Sequence, residues 1–289
     1  MKLYRHFTSQ EDIDFEYKTE LWADDSEYWF KFFVEESRKV REELQCVLDV
    51  PFGATLEETF DIFPSDNPGS PILVFIHGGY WRRLSSKEFS FIARGLVGQG
   101  WTVAVTNYAL CPKVSLPEIT RQSRAAVAQI ARNSAAYNGN EHKIYVAGHS
   151  AGGQQVARLL DTDWVTNYGL PGNLIKGGYA LSGVYDLAPL QYSWLQPVLQ
   201  LDQAIVKSES PVYNIAKSTP PLLIEVGGEE SSEFKRQSRD YYEQCIEAGL
   251  PACYQEQEGK HHFSVIEGFL DSEGQQTKSV LALAQKSES

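Results

Sequence analysis

A serine between two glycines follows an apolar run near the middle of the chain. Residues 143–154 read Lys-Ile-Tyr-Val-Ala-Gly-His-Ser-Ala-Gly-Gly-Gln, which predicts a strand, a sharp turn and a helix, with Ser150 at the apex of the turn. Gly148 and Gly152 suit such a turn, because a Cβ at either position would collide with the strand or the helix. We expect the turn to present the Ser150 hydroxyl as a nucleophile at the carboxyl edge of a sheet, above a helix N-terminus.

A nucleophilic serine needs a base, because its hydroxyl is unreactive at neutral pH. The chain has six histidines, and two of them, His261 and His262, follow the last predicted strand, where a base can reach the Ser150 hydroxyl. We favour His262, because Phe263 after it can anchor the loop, whereas Lys260 and His261 are expected to be exposed to solvent. His261 stays open as the alternative base.

An imidazole base needs a carboxylate that fixes its tautomer and stabilises its protonated form. The loop after the predicted strand 221–226 offers Glu229, Glu230 and Glu233. We choose Glu230, the third residue after Gly227. Asp186 is the alternative, because it follows the preceding strand and some hydrolases place their acid there.

A tetrahedral intermediate needs hydrogen-bond donors for its oxyanion. His77, Gly78 and Gly79 follow a wholly apolar run at 72–76, and glycines allow backbone N–H groups to approach a substrate closely. We therefore predict an oxyanion hole made by Gly78, Gly79 and the N–H of Ala151.

Strands and helices alternate along the chain, which predicts an α/β fold. In this fold a mostly parallel sheet has helices on both faces, so that the domain has three layers. In such sheets ligands bind at the carboxyl ends of the strands. The loops that begin at 77, 148, 227 and 259 all follow strands and should therefore meet at one edge. The predicted strands are 55–63, 72–76, 102–106, 144–147, 178–181, 221–226 and 252–255, and the predicted helices are 86–97, 116–137, 151–160 and 232–247.

Two segments stand outside this alternation. Residues 1–45 predict a helical extension, with apolar positions at helical spacing from 26 to 44. This extension would pack on the main domain or cover its mouth, and a plain surface helix is an equal alternative. Residues 187–213 contain three prolines and read as a cap-like insertion. We expect residues 1–289 to form one domain.

Composition excludes several classes of protein. The formal charge of −12 disfavours nucleic acid and anionic membranes as partners, and no apolar run approaches the roughly 18 residues of a membrane span. The four cysteines lack Cys-x-x-Cys spacing and no secretory signal is visible, so we expect reduced thiols and a cytoplasmic protein. No His-Glu-x-x-His motif or compact ligand cluster predicts a metal. A homodimer is left open.

Several of these motifs together resemble those of a known family. His-Gly-Gly-Tyr-Trp at 77–81, Gly-His-Ser-Ala-Gly at 148–152 and the order serine, acid, histidine resemble the α/β-hydrolase superfamily. Within it, the chain is most similar to the kynurenine formamidase (arylformamidase) group from about residue 55 to about residue 270. The resemblance implies Ser150 as nucleophile, Glu230 as acid and His262 as base. The better-known members carry an aspartate as the acid, so the glutamate is a departure.

The resemblance implies a serine hydrolase that cleaves an aryl formamide such as N-formylkynurenine through an acyl-enzyme, without a cofactor. The partner would be a small aromatic amide or ester. A general carboxylesterase acting on short esters is the alternative, and a non-catalytic binding protein with a hydrolase fold is a second. The aromatic residues expected to form the wall of a substrate pocket are Tyr80, Trp81, Tyr108, Tyr185 and Trp194.

Overall fold

A computed structural model describes residues 2–288. Within them the chain forms an eight-stranded sheet in the order β1-β2-β4-β3-β5-β6-β7-β8. The strands are β1 Val47–Pro51, β2 Thr59–Phe63, β3 Ser70–Ile76, β4 Thr102–Thr106, β5 Gly139–His149, β6 Ile175–Leu181, β7 Leu222–Gly227 and β8 Ala252–Gln257.

The sheet is mostly parallel, as predicted. Only the pairings of β2 with β1 and β4 are antiparallel, and every other pair of neighbours runs in the same direction. In the centre, β3 pairs with both β4 and β5, so that Ile76 lies opposite Thr106 on one side and Gly148 on the other. The loops after β3 and β5 therefore start side by side at the same edge.

Helices cover both faces of the sheet, which confirms the predicted three-layer α/β class. One face packs against α1, α4, α5 and α9 together with the insertion, and the other packs against α2, α3 and α10. The α-helices are α1 Gln10–Tyr17, α2 Ser26–Glu43, α3 Ala93–Gly98, α4 Leu116–Arg132, α5 Ala151–Leu160, α6 Trp164–Tyr168, α7 Gln196–Leu199, α8 Gln203–Glu209, α9 Ser232–Glu247 and α10 Gln275–Glu288. The 3₁₀-helices are Thr19–Trp22, Ser86–Glu88, Ser90–Ile92, Ser134–Tyr137, Ala188–Tyr192, Pro211–Tyr213 and Ser264–Leu270.

The central strands are apolar throughout because both of their faces are buried. In β3, Ile72 and Val74 join the core on one side of the sheet, whereas Leu73 and Phe75 join the core on the other side. A strand with two buried faces needs apolar residues at every position. This packing holds β3 rigidly and thereby fixes the start of the loop at 77–81.

Several elements differ from the predictions. The strand predicted over 55–63 begins at Thr59, and the strand predicted over 144–147 begins earlier, at Gly139. The helix predicted over 86–97 is two 3₁₀ turns followed by α3, because Phe89 has φ −122° and ψ 11° between the turns. The helix predicted over 116–137 ends at Arg132 and continues as a separate 3₁₀ turn. The edge strand β1 was not predicted, since it is largely exposed and lacks the apolar pattern of a buried strand.

The N-terminal segment folds over the carboxyl edge of the sheet. α1 packs against α9, and α2 packs against the 3₁₀ turns that follow the 77–81 loop. The amphipathic stretch at 26–44 is α2, which buries Trp29, Phe33 and Val40. Across residues 2–288, no helix combines the length and apolar character needed to cross a membrane.

Candidate active site

Ser150 lies in a strained turn between β5 and α5. Its φ of 58° and ψ of −116° are a backbone conformation that residues with a side chain rarely adopt. A Cβ on Gly152 would overlap the Ile76 carbonyl oxygen, and a Cβ on Gly148 would overlap the backbone of Gly152. Glycine at both positions therefore lets strand and helix approach closely enough to hold Ser150 in this turn.

The His262 imidazole bridges the Ser150 hydroxyl and the Glu230 carboxylate. His262 Nε2 lies 3.0 Å from Ser150 Oγ, and His262 Nδ1 lies 2.6 Å from Glu230 Oε2. A carboxylate only accepts hydrogen bonds, so Nδ1 carries the proton and Nε2 is left to accept the hydroxyl proton of Ser150. All three side chains are almost completely buried. The structure thus brings these predicted residues together in the order that proton transfer requires.

Two further donors hold the Glu230 carboxylate in place. The Gly227 N–H donates to Glu230 Oε1 at 2.8 Å, and the Ser182 hydroxyl donates to the same oxygen. Ser182 was missed by the sequence analysis. The available signal was its position directly after β6, at the same edge of the sheet as Ser150. These bonds leave Oε2 free to face the imidazole.

The alternative base, His261, points away from the Ser150 hydroxyl. Its Nε2 lies 2.9 Å from Asp25 Oδ1, and its Nδ1 accepts the N–H groups of Phe263 and Ser264. Both ring nitrogens are therefore engaged in holding the loop and the N-terminal segment.

The alternative acids also have other partners. Asp186 Oδ2 accepts the Tyr4 hydroxyl at 2.7 Å, and Glu233 Oε2 accepts the Tyr17 hydroxyl at 2.9 Å. Glu229 is exposed to solvent. Of the four candidate carboxylates, Glu230 is the one in contact with the His262 ring.

The 77–81 loop approaches Ser150 closely through its glycines. A Cβ on Gly78 would lie 3.0 Å from the His149 carbonyl oxygen and 3.1 Å from Ser150 Cβ. Gly79 has φ +113°, which strongly favours glycine. Ala151 is the first residue of α5, where backbone N–H groups have no partner within the helix. The geometry thus places the Gly78, Gly79 and Ala151 backbone around the serine.

Two buried histidines beside the site are neutral at pH 7. Burial lowers the pKa of His77 to about 4, and its Nδ1 lies 2.7 Å from the Gly78 carbonyl oxygen. Burial holds the pKa of His149 well below its usual value. His149 Nε2 lies 2.7 Å from the His262 carbonyl oxygen, so its neutral ring supports the backbone of that loop.

A small cavity of about 20 Å³ adjoins Ser150 and has room for roughly one water molecule. Its walls are mainly aromatic. The N-terminal segment contributes Thr19, Phe30 and Phe33, which the sequence analysis did not identify as site residues. The other aromatic walls are Tyr80, Phe89 and Phe263.

The five predicted substrate-binding aromatics differ in whether they line this cavity. Tyr80 lines the cavity, and its hydroxyl donates to the Tyr17 carbonyl oxygen at 2.5 Å. Trp194 is outside the cavity lining and packs edge-on against Tyr80, with ring centroids 6.0 Å apart.

The other three aromatics are buried in the protein core rather than in the cavity walls. Trp81 donates to Gln154, Tyr108 donates to the His77 carbonyl oxygen, and Tyr185 stacks on Tyr241 at 4.5 Å. For Trp81, Tyr108, Tyr185 and Trp194 the structure therefore corrects the expectation of direct contact with this cavity. The first three rings fill the core beside the loops, and the Trp194 ring packs against Tyr80.

Other possible sites lack this chemistry. No cluster of three or more metal-binding side chains occurs among residues 2–288. A larger open cleft of about 820 Å³ lies near the amino ends of β6 and β7, with walls from 159–164 and 214–221. Because ligands of parallel α/β sheets bind at the carboxyl ends, and Ser150 and His262 lie there, the small cavity is the candidate active site.

The parallel sheet, the serine turn and the adjoining histidine and carboxylate define an α/β-hydrolase, a class of enzymes. The chain belongs to the BD-FAE family, whose model matches residues 60–245. The chain is therefore a hydrolase.

Individual relatives agree with this class. The kynurenine formamidase of Danio rerio is 31% identical over 258 residues, covering 87% of this chain and 86% of the relative. Esterase LipQ of Mycobacterium tuberculosis is 25% identical, covering 74% of this chain and 56% of the relative. A solved structure from silicibacter sp. tm1040, provisionally assigned as a thioesterase, has a TM-score of 0.81 and 29% identity, covering 95% of this chain and 99% of that one.

Proposed function

We propose that this enzyme hydrolyses an aryl formamide of the N-formylkynurenine type, with Ser150 as nucleophile, His262 as general base and Glu230 as its carboxylate partner. The observation that carries the proposal is the unbroken hydrogen-bonded chain from the Ser150 hydroxyl through both ring nitrogens of His262 to Glu230. This arrangement supports acyl transfer to a serine.

In the proposed mechanism, His262 Nε2 takes the hydroxyl proton as Ser150 Oγ attacks the formyl carbon. The N–H groups of Gly78, Gly79 and Ala151 stabilise the resulting oxyanion. Glu230 stabilises the imidazolium, which then protonates the leaving arylamine nitrogen. A water molecule, deprotonated by the same imidazole, attacks the formyl ester. The bond to Ser150 Oγ then breaks, the imidazolium returns its proton to Ser150 Oγ, and formate leaves.

The size and walls of the cavity support a formyl rather than a longer acyl group. The roughly 20 Å³ next to Ser150 leaves little room for an acyl group longer than one carbon unless the walls move. The aromatic side chains around it offer stacking surfaces for an aryl leaving group. The similarity to the Danio rerio kynurenine formamidase over most of both chains agrees with this choice.

A general carboxylesterase is the second candidate, because Esterase LipQ is also a relative and the same residues can cleave an ester. Comparing kcat/KM for N-formylkynurenine with kcat/KM for phenyl acetate and phenyl butyrate tests the proposal. We expect the formamide to be the better substrate and the butyrate the poorest. Efficient ester turnover without formamide turnover would overturn the formamidase proposal in favour of the esterase.

A further inference from the structure

One charged pair lies beside the cavity next to Ser150. Arg83 is the single permanently charged side chain among the described residues that line the cavity, whose other walls include four phenylalanines. Its Nη2 donates to Glu20 Oε1 at 2.6 Å. Glu20 belongs to the 3₁₀-helix Thr19–Trp22, between α1 and α2 in the N-terminal segment. The proposed acyl transfer uses neither residue.

Most N–H donors of the Arg83 guanidinium have no acceptor among residues 2–288. Of its five N–H donors, one meets an acceptor within residues 2–288, and its buried Nε has none. The guanidinium also lies over the Phe30 ring, with Cζ 5.0 Å from the centroid. The Arg83 side chain lies against Gly79, which places it beside the predicted oxyanion loop. A planar guanidinium held in this way is suited to binding a carboxylate through two parallel hydrogen bonds.

The Glu20 contact shows that the position beside the Arg83 guanidinium accommodates a carboxylate. Burial would raise the pKa of the Glu20 carboxyl, but hydrogen bonds from the backbone and Arg83, with the charges of Arg83 and His262, lower it below its usual value. The Glu20 carboxylate is therefore ionised at neutral pH. It occupies the guanidinium just as a carboxylate on a substrate would.

Entry of a substrate can disturb this pair. A cavity of about 20 Å³ cannot hold an aryl ring, so some of its walls have to move when substrate enters, and Thr19, Phe30 and Phe33 of the N-terminal segment are among those walls. A movement of Thr19 carries the adjacent Glu20 with it and leaves Arg83 without its counter-ion. The Arg83 side chain is 32% exposed, so water solvates part of the unpaired charge, and a substrate carboxylate can take the position that Glu20 leaves.

We propose that Arg83 is a specificity-determining residue that binds the carboxylate of an aryl amide or ester substrate, and that Glu20 is its intramolecular stand-in when the site is closed. This inference rests on the proposed function for the identity of the reacting group only. The substrate class is thereby narrowed to aryl acyl compounds whose leaving group carries a carboxylate.

The test compares substrates with and without the amino-acid end that carries the carboxylate. The first pair is N-formylkynurenine and 2-formamidoacetophenone, the same aryl formamide without the amino-acid end. The second pair is O-acetyltyrosine and 4-methylphenyl acetate. We expect Arg83→Gln to lower kcat/KM about 10- to 100-fold for the carboxylate-bearing member of each pair, mainly through KM, and less than about threefold for the neutral member.

Glu20→Gln separates substrate binding from a purely structural ion pair. If Glu20 competes with the substrate carboxylate, its removal should raise kcat/KM for the carboxylate-bearing substrates about two- to tenfold, opposite in sign to Arg83→Gln. The matched control is Arg82→Gln. The Arg82 guanidinium stacks on Trp194 at 4.7 Å and is not part of the cavity lining, so this change should affect all four substrates alike.

Each outcome decides one claim. Equal losses on charged and neutral substrates in both Arg83→Gln and Glu20→Gln would show that the pair only anchors the N-terminal segment, and would overturn the inference. An unchanged carboxylate preference in Arg83→Gln would also overturn it. If wild-type enzyme cleaves neither formamide, the formamidase proposal fails. A loss confined to O-acetyltyrosine in Arg83→Gln would then still establish the carboxylate site.

Discussion

At the scale of single residues, the site depends on a few exact contacts. The Ser150 backbone is held at φ 58° by glycines on both sides, and Glu230 is held by the Gly227 N–H and the Ser182 hydroxyl. His262 is then held between two groups that have their own fixing contacts. Preorganisation of this kind lets the proposed proton transfers proceed without rearranging side chains.

Replacing Ser150 by alanine removes the proposed nucleophile and little else. We expect kcat/KM to fall roughly 10⁴- to 10⁶-fold, with a melting temperature within about 3 °C of wild type. A fluorophosphonate should label wild-type Ser150, as seen in the peptide mass spectrum, and should not label the variant. Labelling at another serine, or activity within tenfold of wild type, would contradict the assignment.

Replacing Glu230 by glutamine removes the charge that stabilises the imidazolium. We expect kcat to fall about 10³- to 10⁴-fold. Asp186→Asn is the matched control, because Asp186 binds the Tyr4 hydroxyl and the Ala188 N–H instead of the imidazole, and should cost less than about threefold. Steady-state kinetics of the two variants give the ranking, and the reverse order would transfer the acid role to Asp186.

At the scale of elements, α2 forms part of the cavity wall. Phe30 on this helix packs edge-on against Phe263, with centroids 5.1 Å apart, directly beside the proposed base. Trp29 contacts His261, whose ring also pairs with Asp25. The N-terminal segment is therefore attached to the loop that carries His262, so its position and the size of the cavity are coupled.

Shortening Phe30 should change acyl-chain preference. Phe30→Ala enlarges the cavity, and we expect the ratio of kcat/KM for phenyl butyrate to that for phenyl acetate to rise about tenfold. Phe32→Ala is the control, because Phe32 lies on the same helix and packs on Phe91 without lining the cavity. A ratio that stays constant in Phe30→Ala, or rises equally in both variants, would mean that α2 does not limit the acyl group.

At the scale of the whole molecule, buried neutral histidines make folding depend on pH. The pKa of His77 is about 4 in the folded protein and 6.5 for the free side chain, because the ring is fully buried. Between these values the unfolded chain binds a proton that the folded protein does not. The free energy of unfolding therefore falls as the pH falls through this window.

Replacing His77 by glutamine removes this contribution. From pH 6.5 to pH 4 we expect wild type to lose about 3 kcal/mol relative to His77→Gln, at about 1.4 kcal/mol per pH unit. The variant is less stable at pH 7, since it loses the fitted ring stacked on Tyr108 at 4.2 Å. Urea unfolding at several pH values measures both curves, and curves that stay parallel would exclude His77 as the cause.

Local patterns sufficed for most of the elements and for the chemistry of the turns. The continuous apolar run of β3 and the glycines at 148 and 152 act within a few residues, so their effects can be predicted without a structure. The same reasoning identified four loops that follow strands, and parallel strand direction brings such loops to one edge. Partners that come from elsewhere in the chain could not be predicted in this way, and Ser182 and Phe30 are examples.

The sequence by itself determined the α/β class, the serine turn and the short lists of candidate bases and acids, because propensity, alternation and glycine conformations are local properties. The tertiary structure decided which candidates meet. Ser150 and His262 are 112 residues apart and His262 and Glu230 are 32 apart, and their contact depends on how the strands order in the sheet. It also decided that the N-terminal segment closes over the serine, since packing between distant surfaces leaves no periodic signal in either one.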